Sequence, residues 1–159
     1  MIKQIAVAIA LAATSFAAAA AEPTPFYVGA DLGATKVDHS DNDNSFGIFA
    51  GYKFTPNIAV EAGYRKMGEF RVYGVPVDMN QTAISLLASA PVADKLSVYG
   101  RLGYNRLEAE AYGHKAHDNG SLYGIGVSYA FTKEVAARIE WQRPSSDSQN
   151  LSVGVAYSF

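Results

Sequence analysis

The chain is 159 residues long, room for one domain with a modest core, and its formal net charge of −2 carries no basic excess that would point to nucleic acid. Cysteine is absent, which excludes a disulfide framework, a zinc–cysteine site, a cysteine nucleophile and a lipid-modified N-terminal cysteine. Ten Tyr and eight Phe beside a single Trp suit a strand-rich protein.

Residues 1–21 have the make-up of a secretory signal peptide. Lys3 supplies the positive start, Ile5 to Ala13 the apolar stretch, and Ala19, Ala20 and Ala21 the small residues of a cleavage site. Cleavage after Ala20 or Ala21 would leave residues 22–159 as a single mature domain. The alternative, a retained anchor, is disfavoured because the apolar core is shorter than the roughly 20 residues that span a bilayer.

Pro23 and Pro25 punctuate a short leader, after which apolar and small or polar residues alternate with period 2, the mark of strands with two unlike faces. Strand one sets Phe26, Val28, Ala30, Leu32 and Ala34 against Tyr27, Gly29, Asp31, Gly33 and Thr35. A polar loop at 38–44 leads to strand two, about Ser45 to Phe54, with Phe46, Ile48, Ala50 and Tyr52 opposed to Gly47, Phe49, Gly51 and Lys53. Thr55, Pro56 and Asn57 make a tight turn. Strand three sets Ile58, Val60, Ala62 and Tyr64 against Ala59, Glu61, Gly63 and Arg65.

Residues 67–80, with two Gly and a Pro, read as a long loop. Strand four, about Gln81 to Ala90, is the least regular, and its Ala and Leu would also suit a short helix. After a turn at 91–95, strand five sets Leu96, Val98, Leu102 and Tyr104 against Ser97, Tyr99, Arg101, Gly103 and Asn105. Residues 108–119 read as a third long loop. Strand six sets Tyr123, Ile125, Val127 and Tyr129 against Gly124, Gly126, Ser128 and Ala130. Thr132 to Glu134 turns the chain into strand seven, with Val135, Ala137, Ile139 and Trp141 opposed to Ala136, Arg138, Glu140 and Gln142. A shorter loop at 144–149 precedes the last strand, Leu151 to Phe159.

Eight strands with alternately long and short connections predict a closed antiparallel barrel, because a terminal strand as regular as the last would otherwise leave a sticky edge. A soluble barrel turns its large apolar side inward; a transmembrane barrel turns it out. Side-chain size decides between them. One face carries Phe, Tyr, Trp, Leu, Ile and Val, while the other is rich in Gly, Ala and Ser, which a water-facing surface does not need and a narrow eight-stranded lumen does. The expected fold is therefore an all-β, eight-stranded, up-and-down transmembrane β-barrel with short periplasmic turns and long extracellular loops.

With the N-terminus at the short-turn end, the odd strands run toward the long loops, and each ends its outward face on a base: Lys36, Lys66, Arg106 and Arg143. In three of the four an aromatic precedes the base by two residues, the pairing expected where head groups meet acyl chains. These four are candidate lipopolysaccharide contacts, with ordinary solvated rim charges as the alternative.

Six segments in this order resemble the OmpA-like family of small bacterial outer-membrane barrels, OmpX-type members included. They are Phe26-Tyr27-Val28-Gly29-Ala30, Ala50-Gly51-Tyr52, Glu61-Ala62-Gly63-Tyr64, Tyr99-Gly100-Arg101-Leu102-Gly103, Ala137-Arg138-Ile139-Glu140-Trp141 and Val155-Ala156-Tyr157-Ser158-Phe159. The resemblance covers essentially the whole mature chain. It implies a bacterial outer-membrane location, and it implies that the last strand is an assembly signal with Tyr157 and Phe159 as the aromatic positions read by the barrel-assembly machinery. The peptidoglycan-binding domain of larger members is not expected here.

The inward faces carry Asp31, Lys53, Glu61, Arg65, Arg101, Arg138 and Glu140, three acids and four bases. Buried charges persist only when paired, so Glu61, Arg101, Arg138 and Glu140 are expected to form a central network. Such a network reads as a structural plug, or alternatively as the gate of a narrow ion path. Catalysis is not expected, although some small outer-membrane barrels modify lipid A with a His and Ser at the rim. His39, His114 and His117 all fall in predicted loops, two His are too few for a metal, and no cofactor is implied. The remaining partners expected are outer-membrane lipid and surface ligands met through 38–44, 67–80 and 108–119, with no nucleic acid, the protein itself a monomer with both termini periplasmic.

Overall fold

The computed structural model describes residues 25–37, 43–72, 75–111, 114–146 and 148–159. The proposed signal peptide, His39 and most of the 38–44 loop lie outside them. The eight strands are β1 (Phe26–Val37), β2 (Asp43–Lys53), β3 (Ile58–Val72), β4 (Val75–Ala93), β5 (Leu96–Ala111), β6 (His114–Ala130), β7 (Val135–Ser145) and β8 (Ser148–Ser158). Each pairs antiparallel with the next, and β1 pairs with β8 from Tyr27 opposite Ser158 to Val37 opposite Ser148, so the barrel is closed. Closure removes the free edge that the terminal alternation made untenable. One lap along ladder partners runs from Asn150 through Gln142, Gly124, Arg101, Leu87 and Ala59 to Lys53, whose N–H bonds the Pro25 carbonyl. Phe26, the next residue, already accepts from Phe159, so a lap begun high on β8 closes at its foot. The strands are steeply inclined to the barrel axis.

The two faces divide by size. Leu32, Leu102 and Ile125 point outward and are 67, 70 and 66% exposed, within a continuous belt of Val, Ile, Leu, Phe and Tyr. At the foot of the belt, Phe26 with Tyr52, Tyr52 with Phe54, Tyr129 with Phe131 and Tyr157 with Phe159 meet edge to face with ring centroids 4.9 to 5.3 Å apart. At its upper end stand Phe46, Tyr64, Tyr104, Tyr123 and Trp141. An apolar band between two aromatic girdles is the surface of a protein solvated by lipid.

Two of the short turns share one construction. In Phe54 to Ile58, Thr55 Oγ1 accepts from the N–H groups of Asn57 and Ile58 at 3.2 and 3.0 Å. In Phe131 to Val135, Thr132 Oγ1 accepts from Glu134 and Val135 at 3.1 and 3.0 Å.

Two expectations are corrected. Segments 67–80 and 108–119 are not long loops: apart from 73–74 and 112–113, which are not described, they continue β3 into β4 and β5 into β6, with Val72 opposite Val75 and Ala111 opposite His114. Gly68 is absorbed by a bulge after Lys66. Polarity marks where a strand leaves lipid, whereas a hydrogen-bond ladder continues into water as long as both strands stay in register. β4 is a strand throughout, the longest of the eight at 19 residues, and reaches Ala93, leaving only Asp94 and Lys95 as the turn. The β2–β3 ladder stops at Phe46 opposite Lys66 and the β6–β7 ladder at Tyr123 opposite Arg143. The barrel therefore has a tall wall, β3 to β6, and a short wall, β7, β8, β1 and β2.

Candidate functional site

The inward face offers little volume, so large side chains fit only where a neighbour gives way. Tyr27 leans over Gly51, Tyr99 over Gly126 and Phe49 over Gly29; a Cβ at any of these glycines would collide with the ring it faces. These close approaches place three aromatic rings around the middle of the lumen.

Between them lies a ring of four buried charges. Glu61 meets Arg101 Nη2 at 2.5 Å and Arg138 Nη1 at 2.8 Å; Glu140 meets Arg101 Nε at 2.8 Å and Arg138 Nη2 at 2.7 Å. Each acid thus bridges both bases, and the formal charge sums to zero. Tyr99 donates to Glu140 at 2.6 Å and Tyr27 to Glu61 at 3.0 Å, while Arg138 Nε donates to the Tyr99 hydroxyl at 3.1 Å. The Arg138 guanidinium also lies 4.1 Å from the Phe49 ring centroid and 5.3 Å from that of Tyr99. All four charged residues are buried. Charges taken from water stay ionised only with such dense pairing.

Of the seven inward charges expected from sequence, the structure brings these four together and sets the others apart. Asp31 and Arg65 form a separate bidentate pair at 2.7 and 2.9 Å, nearer the hairpin end. Lys53 sits at the short-turn end, where its Nζ donates to Ser158 Oγ at 2.9 Å and lies 5.4 Å from the Tyr27 ring centroid. The ring of charge separates two cavities: one of about 30 Å³ toward Asp31 and Arg65, room for about one water, and a vestibule of about 170 Å³ toward Lys53.

Sequence reasoning missed the aromatic supports Tyr27, Phe49 and Tyr99. The available signal was a large ring on a face otherwise made of Gly, Ala and Ser. It also missed an apolar cap above the polar lumen, where buried Met67 and Leu107 pack with Met79. Met67 keeps the inward parity of Arg65, but the segment was taken to have left the strand.

Lys36, Lys66 and Arg106 are exposed on the outward face, whereas Arg143, on the same face, is half-buried with its Nε out of contact with water. Arg106 Nε lies 3.5 Å from Glu108 Oε1, which also lies 3.4 Å from His117 Nδ1. Arg143 Nη2 donates to the Ser146 carbonyl. Among the described residues, no group of three or more His, Cys, Asp or Glu is placed to hold a metal.

A closed barrel with an apolar exterior and a polar, charge-paired interior is a transmembrane β-barrel. The family model of the outer membrane protein beta-barrel domain matches residues 5–159, and the chain belongs to that family. It is 31% identical over 191 residues to outer membrane protein A of Escherichia coli O157:H7, the match taking in 99% of this chain and 55% of that one. The chain thus spans about half the length of the curated relatives it matches. Among solved structures it is similar in fold to Neisserial surface protein A, with a TM-score of 0.63 and 21% identity, covering 87% of this chain and all of that one. It is likewise similar to the N-terminal barrel domain of Pseudomonas aeruginosa OprF, with a TM-score of 0.60 and 15% identity over 87% of this chain and 100% of that one. The chain is an outer-membrane β-barrel of the OmpA type.

Proposed function

We propose that this outer-membrane barrel serves as a structural and surface-contact element: its lumen is plugged by the four-charge ring, its rim bases meet lipopolysaccharide, and its tall hairpins face the cell's surroundings. The observation that carries the plug is the double bridging of each acid to both bases, braced by Tyr27 and Tyr99. Both termini are periplasmic, residues 1–21 are removed on export, and Tyr157 and Phe159 belong to the signal taken by the assembly machinery. Recording from pure protein in planar bilayers tests the plug. No steady current is expected, and a large, steady conductance overturns it.

The narrow-pore reading keeps a place because a cavity lies on either side of the ring. In that reading, neutralising one partner with Glu61→Gln raises conductance; in the plug reading it lowers stability and leaves the bilayer silent. An enzymatic role is not proposed. A lipid A mass spectrum unchanged on deletion of the protein is the result expected, and a changed acyl pattern would reverse this view. Replacement of Lys36, Lys66, Arg106 and Arg143 by Gln together is expected to reduce lipopolysaccharide co-purification, and an unchanged yield of bound lipid removes the rim proposal. Mass analysis of the mature chain is expected to show an N-terminus near Glu22.

A further inference from the structure

The four rim bases are not equivalent. On the tall wall, ladder partners align Lys66, Asn80, Glu108 and His117 across β3 to β6, and Arg106 lies within ion-pair distance of the same Glu108. A carboxylate is therefore built into that row. On the short wall, Tyr123 stands opposite Arg143, and Lys36 opposite Gln149. The β7–β8 ladder is regular up to Gln142 opposite Asn150 and then shifts register before Ser145 opposite Ser148, so Arg143 reaches Gln149 at a bulge, and Tyr123, Arg143, Gln149 and Lys36 neighbour one another over four adjacent strands. Trp141 lies beneath, its indole N–H donating to Gln149 Oε1 at 3.4 Å and its ring 6.3 Å from that of Tyr123. Among the described residues this row holds no carboxylate: Lys36 is exposed and makes no ion pair, and Arg143 bonds only a neutral backbone carbonyl.

We propose that Lys36, Gln149 and Arg143, over Trp141 and Tyr123, form a binding site for a phosphate of a phosphorylated glycolipid in the outer leaflet, and that the tall-wall bases do not. This rests on the reading that the rim meets lipopolysaccharide. Two cations with no carboxylate beside them among the described residues, together with an amide, supply the donors a phosphate monoester takes. The aromatic pair beneath suits the layer where sugar gives way to acyl chain. The row sits two residues above Leu151 and Trp141, at the top of the apolar belt, which is the depth of such a headgroup.

Trp141 is the only Trp, so its emission reports directly on the row. The test is a fluorescence titration of the full refolded barrel in neutral-detergent micelles with bisphosphorylated lipid A. The control ligands are the same lipid without phosphates, phosphatidylglycerol and inorganic phosphate. Bisphosphorylated lipid A is expected to shift the emission, and Lys36→Gln with Arg143→Gln to weaken binding about tenfold or more, the loss of two charge-assisted contacts. Lys66→Gln with Arg106→Gln should leave affinity within about twofold. Parallel binding by native mass spectrometry, with heat-modifiable gel migration as the check of folding, reads the second pair without relying on Trp141. Equal or greater loss in the tall-wall variant overturns the proposed row while leaving the lipopolysaccharide reading intact. No loss in either variant overturns both. Equal binding of phosphatidylglycerol or free phosphate overturns the glycolipid as ligand.

Discussion

At the scale of single residues, what matters is where the lumen has no room. Tyr99 holds Glu140 because Gly126 lets its ring lie flat across β6. Gly126→Ala is expected to cost about 1–3 kcal/mol, the range for forcing an extra methyl into packed surroundings. Gly100 is the contrast, since a Cβ there meets nothing within 4 Å and points outward. Gly100→Ala should be neutral, or stabilise by up to about 1 kcal/mol through the unfolded chain. Urea unfolding in lipid vesicles measures both. Within the charge ring, Glu61→Gln leaves two guanidiniums short of a counter-charge and is expected to cost about 3–5 kcal/mol. Because Glu61 and Arg101 share one network, Glu61→Gln with Arg101→Gln should cost less than the two single changes added.

At the scale of elements, two of the short turns and the tall hairpins carry opposite lessons. The turns at Phe54 to Ile58 and Phe131 to Val135 repeat the sequence Phe-Thr-x-x-aliphatic, and in each the Thr hydroxyl satisfies two backbone N–H groups. Thr55→Val or Thr132→Val is expected to lower stability by about 0.5–1.5 kcal/mol per bond lost, again read by urea unfolding. The turns themselves were legible in the sequence, though the repeated Thr went unremarked. The hairpins were not, because 67–80 and 108–119 lose the apolar alternation once they rise out of lipid, although the ladder persists. Hydrogen exchange separates the two descriptions. Amides of Ala116 and Asp118, which lie on β6 opposite Ala109 and Leu107, are expected to be at least partly protected; immediate exchange across 108–119 would mean a loop after all.

For the whole molecule, the lumen is a stack of vestibule, charge ring, small cavity and apolar cap. The absence of cysteine makes that order testable by introducing one at a time. Ser128 lines the vestibule and Ala83 the small cavity. In vesicles, Ser128→Cys is expected to react with a membrane-impermeant thiol reagent added at the short-turn side, and Ala83→Cys with reagent from neither side. Labelling of both from one side would mean that the ring is open. The tall and short walls have a further consequence at this scale, since among the described residues the short-wall row carries no carboxylate and the tall-wall row carries Glu108.

The sequence alone determined the barrel and its orientation of faces. Period-2 alternation forces strands, a narrow lumen tolerates only small residues, and lipid accepts only large apolar ones, so size along the chain encodes which side is out. It also marked which ionisable residues turn inward, because parity within a strand is local. Which of those charges meet was decided by the tertiary structure. Glu61 and Arg138 are 77 residues apart in sequence, and their contact depends on the slant with which eight strands close and on glycines in neighbouring strands that admit Tyr27, Phe49 and Tyr99. The height of each hairpin was settled in the same way, since a ladder ends where a partner strand ends, a property of two segments that neither carries by itself.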